Sequence, residues 1–146
     1  MEKTRFINLI DQLSTAATLN EWEAVYDRES DNFCWQKPKL SQNVRLVKVS
    51  HDISLFLTPA KKVEGLFVEY LKDNFTKHNI EYKGMTGYFD KKVADNQYTI
   101  SRKTKDLERY FDKFAETLKA DIYRDAIKEK KCVSDLDFTI STAFAN

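Results

Sequence analysis

Three carboxylates spaced two apart, Asp27, Glu29 and Asp31, are the first side chains whose type and spacing match a chemical task, the binding of a hard divalent cation. A calcium loop of the helix-loop-helix kind also needs glycine at its sixth position and a bidentate glutamate at its twelfth. Counted from Asp27, those positions hold Asn32 and Pro38. The pattern is that of a solvated turn, and no metal or other cofactor is expected.

Cys34 with His51 or His78 is the next candidate, a thiolate beside an imidazole, with Asp52 available to orient His51. Such a pair needs a partly exposed cysteine next to a base. Cys34 lies between Phe33 and Trp35 in a strand-like run, and free cysteine is among the most often buried residue types. The expectation is a core thiol and no enzyme; a small enzyme built on Cys34, His51 and Asp52 is the alternative. Gly84-Met85-Thr86-Gly87 resembles the Gly-x-x-Gly loop by which KH domains clamp a nucleic-acid backbone. The Tyr88-Phe89-Asp90 that follows does not begin an amphipathic helix, so a plain turn is expected.

Two surfaces can also be read from the chain. Lys83, Lys91, Lys92, Arg102, Lys103 and Lys105 outnumber the neighbouring Asp90 and Asp95, a modest basic rim that would suit nucleic acid. Farther on, Tyr110, Phe111, Phe114, Leu118 and Ile122 recur at helical steps. A helix over 104–130 would be roughly 40 Å long at 1.5 Å per residue, whereas a six-residue strand spans only about 20 Å. The stripe is therefore expected to outrun its own sheet and to bind a partner, either a second copy of the chain or another protein.

The elements that must position these residues follow from periodicity. Phe6, Leu9, Ile10, Leu13 and Ala17 mark an amphipathic helix over 2–17. Alternation then predicts strands at 22–26, 32–36, 44–49, 53–57 and 63–70, joined by short turns as an antiparallel meander. In Arg45-Leu46-Val47-Lys48-Val49 and in Leu66-Phe67-Val68 both parities carry apolar residues, so both faces of those strands are expected to be at least partly covered. A short helix is expected over 71–79 and a strand at 97–100, while 80–96 is ambiguous. Residues 132–146 read as an edge strand through Phe138 and Ile140, or as a loose tail. The expected fold class is α+β in one domain, 1–146, with an antiparallel sheet of five to six strands flanked by an N-terminal helix and a long C-terminal helix.

Composition limits the functional classes. The chain has 146 residues, with 24 basic and 23 acidic side chains and a net charge of +1. A dedicated nucleic-acid binder normally carries a clear basic excess. The two cysteines, Cys34 and Cys132, lack metal-ligand spacing, and the first residues lack an apolar signal core. A cytoplasmic protein with free thiols is expected, without a membrane span.

Tyr26-Asp27-Arg28-Glu29-Ser30-Asp31, then Ile53-Ser54-Leu55-Phe56-Leu57 and Val63-Glu64-Gly65-Leu66-Phe67-Val68-Glu69, together resemble a small prokaryotic β-meander domain family of unknown function over about 22–70. Pro59-Ala60-Lys61-Lys62 stands where that family has a tight Asp-Gly turn. The resemblance implies a β-meander and, the family having no established activity, assigns none. With no nucleophile motif, metal set or phosphate loop, the reading is a non-enzymatic protein–protein interaction protein, such as a small bacterial or phage immunity, antitoxin or inhibitor protein. A nucleic-acid-binding accessory protein using the 83–105 rim is the alternative.

Overall fold

The computed structural model describes residues 5–129. The chain opens with two short helices, α1 (Arg5–Asp11) and α2 (Leu13–Leu19), in place of one continuous helix. The Gln12 amide is shared between the carbonyls of Asn8 and Leu9, both at 3.2 Å, and this overwinds the chain at the junction. Ile10, Leu13 and Ala17 still form one buried stripe. Glu21, at φ 50°, turns the chain out of α2 into the sheet.

Strands β1 (Glu23–Asp27), β2 (Asn32–Gln36), β3 (Arg45–Lys48), β4 (Ile53–Leu57) and β5 (Val63–Val68) fall where alternation predicts them. Two more, β6 (Lys91–Ala94) and β7 (Gln97–Thr99), make a sheet of seven strands rather than five or six. All four residues of β6 are exposed, so it carries no apolar alternation to read. The sheet is antiparallel throughout, in the order β3-β4-β5-β2-β1-β7-β6. This is not a simple meander. β2 pairs with β5, and the 37–44 connection carries the chain past two strands to the far edge. Glu64 fastens that connection: its carboxylate accepts from the Ser41 amide at 2.7 Å and the Ser41 hydroxyl at 2.5 Å, and it pairs with Lys37 at 3.5 Å.

After β5 the chain forms a π-helical turn (Leu71–Phe75), a single α-helical turn α3 (Thr76–His78), and two 3-10 turns, Ile80–Tyr82 and Met85–Tyr88. This segment, expected as a short helix over 71–79 and ambiguous beyond it, inserts Leu71, Phe75, Tyr82, Met85 and Phe89 fully into the core. Helix α4 (Lys105–Asp112) starts at Thr104, whose hydroxyl accepts from the Leu107 amide at 3.2 Å. Helix α5 (Phe114–Glu129) follows after a one-residue interruption at Lys113. The C-terminal helical stretch is thus long, as predicted, but in two parts. None of the described helices is long and apolar enough to cross a membrane.

All these helices and turns lie on one face of the sheet. Phe33 stacks on Phe114 (ring centroids 5.7 Å apart), Trp35 meets Phe111 (4.8 Å), and Tyr26 meets Phe89 (5.6 Å). Helix α1 closes over α5 through the Asp11–Lys119 ion pair at 2.5 Å. The C-terminal aromatic stripe is therefore sheltered inside its own subunit. Phe114, Leu118 and Ile122 are 0, 0 and 1% exposed, and Tyr110 and Phe111 are half-buried against the same core. The premise that this stripe outruns its layer fails. It measured the helix against one strand's length and left out the cover that α1 and residues 71–89 supply. The expected 132–146 strand and Cys132 lie outside the described residues.

Gly65 stands at the tightest point of the sheet. A Cβ there would lie 2.5 Å from Gln36 Cβ, 3.0 Å from Gln36 Cα and 3.0 Å from Phe56 Cδ2, and the Gln36 strand cannot yield without shifting backbone. Gly65→Ala is expected to lower the unfolding free energy by about 1–3 kcal/mol, the usual cost of overpacking. An unchanged urea midpoint would refute this.

Candidate functional site

The three carboxylates of the β1–β2 hairpin do three different jobs. Asp27 Oδ1 accepts from the amides of Glu29 and Ser30, both at 3.0 Å, and these bonds hold its carboxyl below the usual range. Glu29 accepts from Asn96 at 2.7 Å. Asp31 is buried, takes the Tyr26 hydroxyl, and accepts the Lys72 and Asp73 amides at 2.9 Å each, capping the π-helical turn. Burial and this aspartate raise the Tyr26 hydroxyl pKa. Arg28 lies 3.5 Å from the centre of the Tyr98 ring and donates to the Phe89 carbonyl at 3.1 Å. Among the described residues, no group of three or more His, Cys, Asp or Glu side chains could hold a metal ion.

The residues considered for nucleophilic chemistry are dispersed. Cys34 points away from the helical layer, between Val25 on β1 and Phe67 on β5. Burial, with help from the Asp27 charge, pushes its thiol up to about 11, so it is protonated near neutral pH. His51 and Asp52, in the β3–β4 hairpin, face the helical side and diverge. The His51 amide donates to Asp125 Oδ2 at 2.8 Å, and its Nε2 lies 4.0 Å from Asp125 Oδ1. Asp52 is buried, accepts from Asn74 Nδ2 at 2.5 Å, and lies 3.4 Å from His78 Nδ1. These contacts pin the hairpin to α5 and to residues 71–78.

Sequence reading missed one member of this neighbourhood. Asp121 is 1% exposed; one oxygen pairs with Arg124 at 3.0 Å, and the other is buried without a hydrogen-bond partner. Its place among Phe114, Leu118 and Ile122 on the buried side of a helix was the available signal. Burial raises its pKa to about 6 against Arg124, which lowers it, and the charges of Asp52, Asp125 and Glu81 add to the rise. Its unpartnered oxygen is closed to solvent, which is the physical origin of the raised pKa.

Gly84 and Gly87 bracket the second 3-10 turn, with Gly84 at φ 86°. The turn drives Met85 and Phe89 into the core, which accounts for its shape without a nucleic-acid backbone. Lys83, Lys91, Lys92, Arg102, Lys103 and Lys105 are all exposed. The Ser101 amide and hydroxyl bind Asp90 at 3.0 and 2.9 Å, which gathers Arg102 and Lys103 beside the start of β6. Lys83 stands apart, its carbonyl accepting from the Tyr110 hydroxyl at 3.3 Å.

The remaining surface is the sheet face that the described helices leave uncovered. Its strands read buried-intermediate in alternation, with the helix-side residues buried and the others half-exposed. Val25, Cys34, Phe67 and Phe56 are half-buried there, and Leu46 is 48% exposed. The register sets them in two rows: Val25, Cys34 and Phe67 lie level with Ser54 and Lys48, whereas Leu46 and Phe56 lie level with Gly65, Gln36 and Glu23. This is the second face that the mixed parity of 45–49 and 66–68 predicted to be covered.

No family model, curated protein or solved structure matches the chain.

Two outcomes are expected here. Asp121→Asn mimics the protonated acid. Because the native pKa of about 6 lies above the ordinary 3.8, the wild-type loses the stabilising contribution of this group as pH rises through that interval. The variant is therefore expected to gain stability relative to wild-type between pH 4 and 6, with a constant difference above. Equal differences at pH 4 and 7 in thermal unfolding would contradict this. Alkylation of Cys34, followed by peptide mass spectrometry, should be slow at neutral pH and rise toward pH 11. Rapid labelling at pH 7 would contradict the protonated thiol.

Proposed function

We propose that this protein acts by binding protein rather than by catalysis, and that the uncovered face of the sheet is its contact surface. The observation that carries the reading is the one-sided packing: the described helices and turns all cover one face, and the other carries the half-buried Val25, Cys34, Phe56 and Phe67 and the exposed Leu46. An antiparallel sheet exposed to water on one side normally turns polar residues outward. Here Phe56, Phe67 and Leu46 stand in that position. Contiguous apolar surface of this kind marks a site of association. The residues with chemical potential support the same reading, since Asp27, Asp31, Asp52 and Asp125 are engaged in holding hairpins and helices. Stoichiometric action on another protein, as by an immunity, antitoxin or inhibitor protein, needs such a face and no catalytic group.

The test is chemical cross-linking of the full tagged chain in the cells that express it. Phe67→Glu places a charge at the middle of the face, while Ile127→Glu alters an exposed apolar residue of α5. Loss of a central aromatic anchor is expected to reduce complex recovery by roughly 30-fold, the effect of a typical hot spot. Ile127→Glu is expected to leave recovery unchanged. Complexes that survive Phe67→Glu in a folded variant would remove the reading.

A further inference from the structure

We infer that the start of the β6–β7 hairpin, with the loop that leads into α4, binds a single strand of nucleic acid. The phosphates meet Lys91, Lys92, Arg102 and Lys103, and a base stacks on Arg28. This goes beyond the protein-binding reading and does not rest on it.

The charges of the chain are balanced in number but not in place. Residues 90–105 hold five basic and two acidic side chains, against 19 and 21 in the rest of the chain. The fold gathers that excess at one end of the hairpin. The β6–β7 register sets Lys91 beside Thr99 and Lys92 beside Tyr98. Two residues past Thr99, the Ser101 amide and hydroxyl bind Asp90 at 3.0 and 2.9 Å, which holds Arg102 and Lys103 beside the start of β6. Asp90, the acid at this end, is thereby taken up in hydrogen bonds, while Asp95 lies at the far end, in the turn. Lys105 follows in the first turn of α4, where Asp106 is paired with Arg109 and Glu108 is exposed.

Packing does not call for these cations. All four residues of β6 are exposed. Among the described residues, Lys91, Lys92, Arg102, Lys103 and Lys105 are exposed and none of them is in an ion pair. Like charges gathered in this way repel one another. A row of phosphates converts that repulsion into attraction and releases counterions.

The ring system beside the cations selects nucleic acid among polyanions. Tyr98, the cross-strand partner of Lys92, is half-buried, and the guanidinium of the exposed Arg28 lies 3.5 Å from the centre of its ring. Arg28 also donates to the Phe89 carbonyl at 3.1 Å, which fixes the guanidinium beside the residue that precedes Asp90. Backed by Tyr98 and held by that carbonyl, the guanidinium plane is a pre-ordered surface on which a base can stack. An acidic protein or an anionic lipid has no base to place there, and a duplex keeps its bases stacked inside. A single strand fits both features.

Fluorescence anisotropy tests this, with labelled oligo-dT and oligo-U of about 12 nucleotides titrated with the full chain. Saturable binding is expected, weakening roughly 100-fold between about 50 and 200 mM salt, as about five phosphate contacts require. The triple variant Lys92→Glu, Arg102→Glu and Lys103→Glu should abolish it. Lys72→Glu with Lys77→Glu, exposed elsewhere on the surface, should weaken it far less. Arg28→Lys keeps the charge and removes the plane, so it should cost roughly 10-fold for the oligonucleotides and nothing for heparin, which has no bases. Circular dichroism confirms each fold; should the triple variant not fold, the salt dependence and Arg28→Lys decide. No binding at low salt, binding that the folded triple variant retains, or a preference for phosphatidylserine vesicles overturns the inference. Equal affinity for single strand, duplex and heparin, with Arg28→Lys silent, overturns it too, leaving a general cation patch. Phe67→Glu should bind oligonucleotide as the wild-type does, whatever its effect on the cross-linked complexes, so the two readings stand or fall separately.

Discussion

Phe114 is the point where the layers of this protein meet. Its ring lies within 5.1 to 6.2 Å of Tyr82, Phe33, Trp35, Phe111 and Phe75. Those five rings come from a 3-10 turn, the sheet, α4 and the π-helical turn. Each such pair contributes about 0.5–1.5 kcal/mol beyond the area it buries. Because the cluster is continuous, α4, α5 and residues 71–89 can be satisfied only together and only on this face. The other face is left to whatever the aromatic residues of the helical layer do not reach. Among the described residues, the face left uncovered is therefore the one opposite Phe114.

The polar residues complement that core. Buried carboxylates need hydrogen-bond or ionic partners, and the chain supplies them unevenly. Asp31 and Glu64 collect amides and hydroxyls, so each closes a loop that the apolar core alone would leave free: Asp31 holds the start of the π-helical turn, and Glu64 holds the long connection between β2 and β3. Asp121 has one oxygen in an ion pair with Arg124 and one without a partner, in a site where Asp52, Asp125 and Glu81 oppose its charge. Residues that look catalytic in isolation are mostly the fasteners of an irregular fold. Cys34, similarly, is a small apolar member of the open face and not a poised nucleophile.

What the sequence by itself determined is local. Period-two alternation located β1 to β5 and β7 closely, since an apolar side chain on every second residue is the direct requirement of a strand with one buried face. The mixed parity of Leu46 with Val47 and of Phe67 with its neighbours Leu66 and Val68 gave the expectation of cover on both faces, whereas the described residues cover one. The helical steps from Leu107 to Ile122 gave the C-terminal helices.

The tertiary structure decided the rest, because it depends on pairings between distant segments. Strand β6 carries lysines and no alternation, and exists because β7 offers it an edge. The insertion of β5 between β2 and β4 reverses the expected strand neighbours, and no local spacing records which edges will meet. The tasks of Asp31 and Asp121 are set by elements forty or more residues away in the one case and by burial on α5 in the other. Above all, spacing showed that Phe114, Leu118 and Ile122 share a face. Only packing could show that α1 and the irregular 71–89 segment already occupy that face, so that among the described residues the side of the sheet left uncovered is the opposite one.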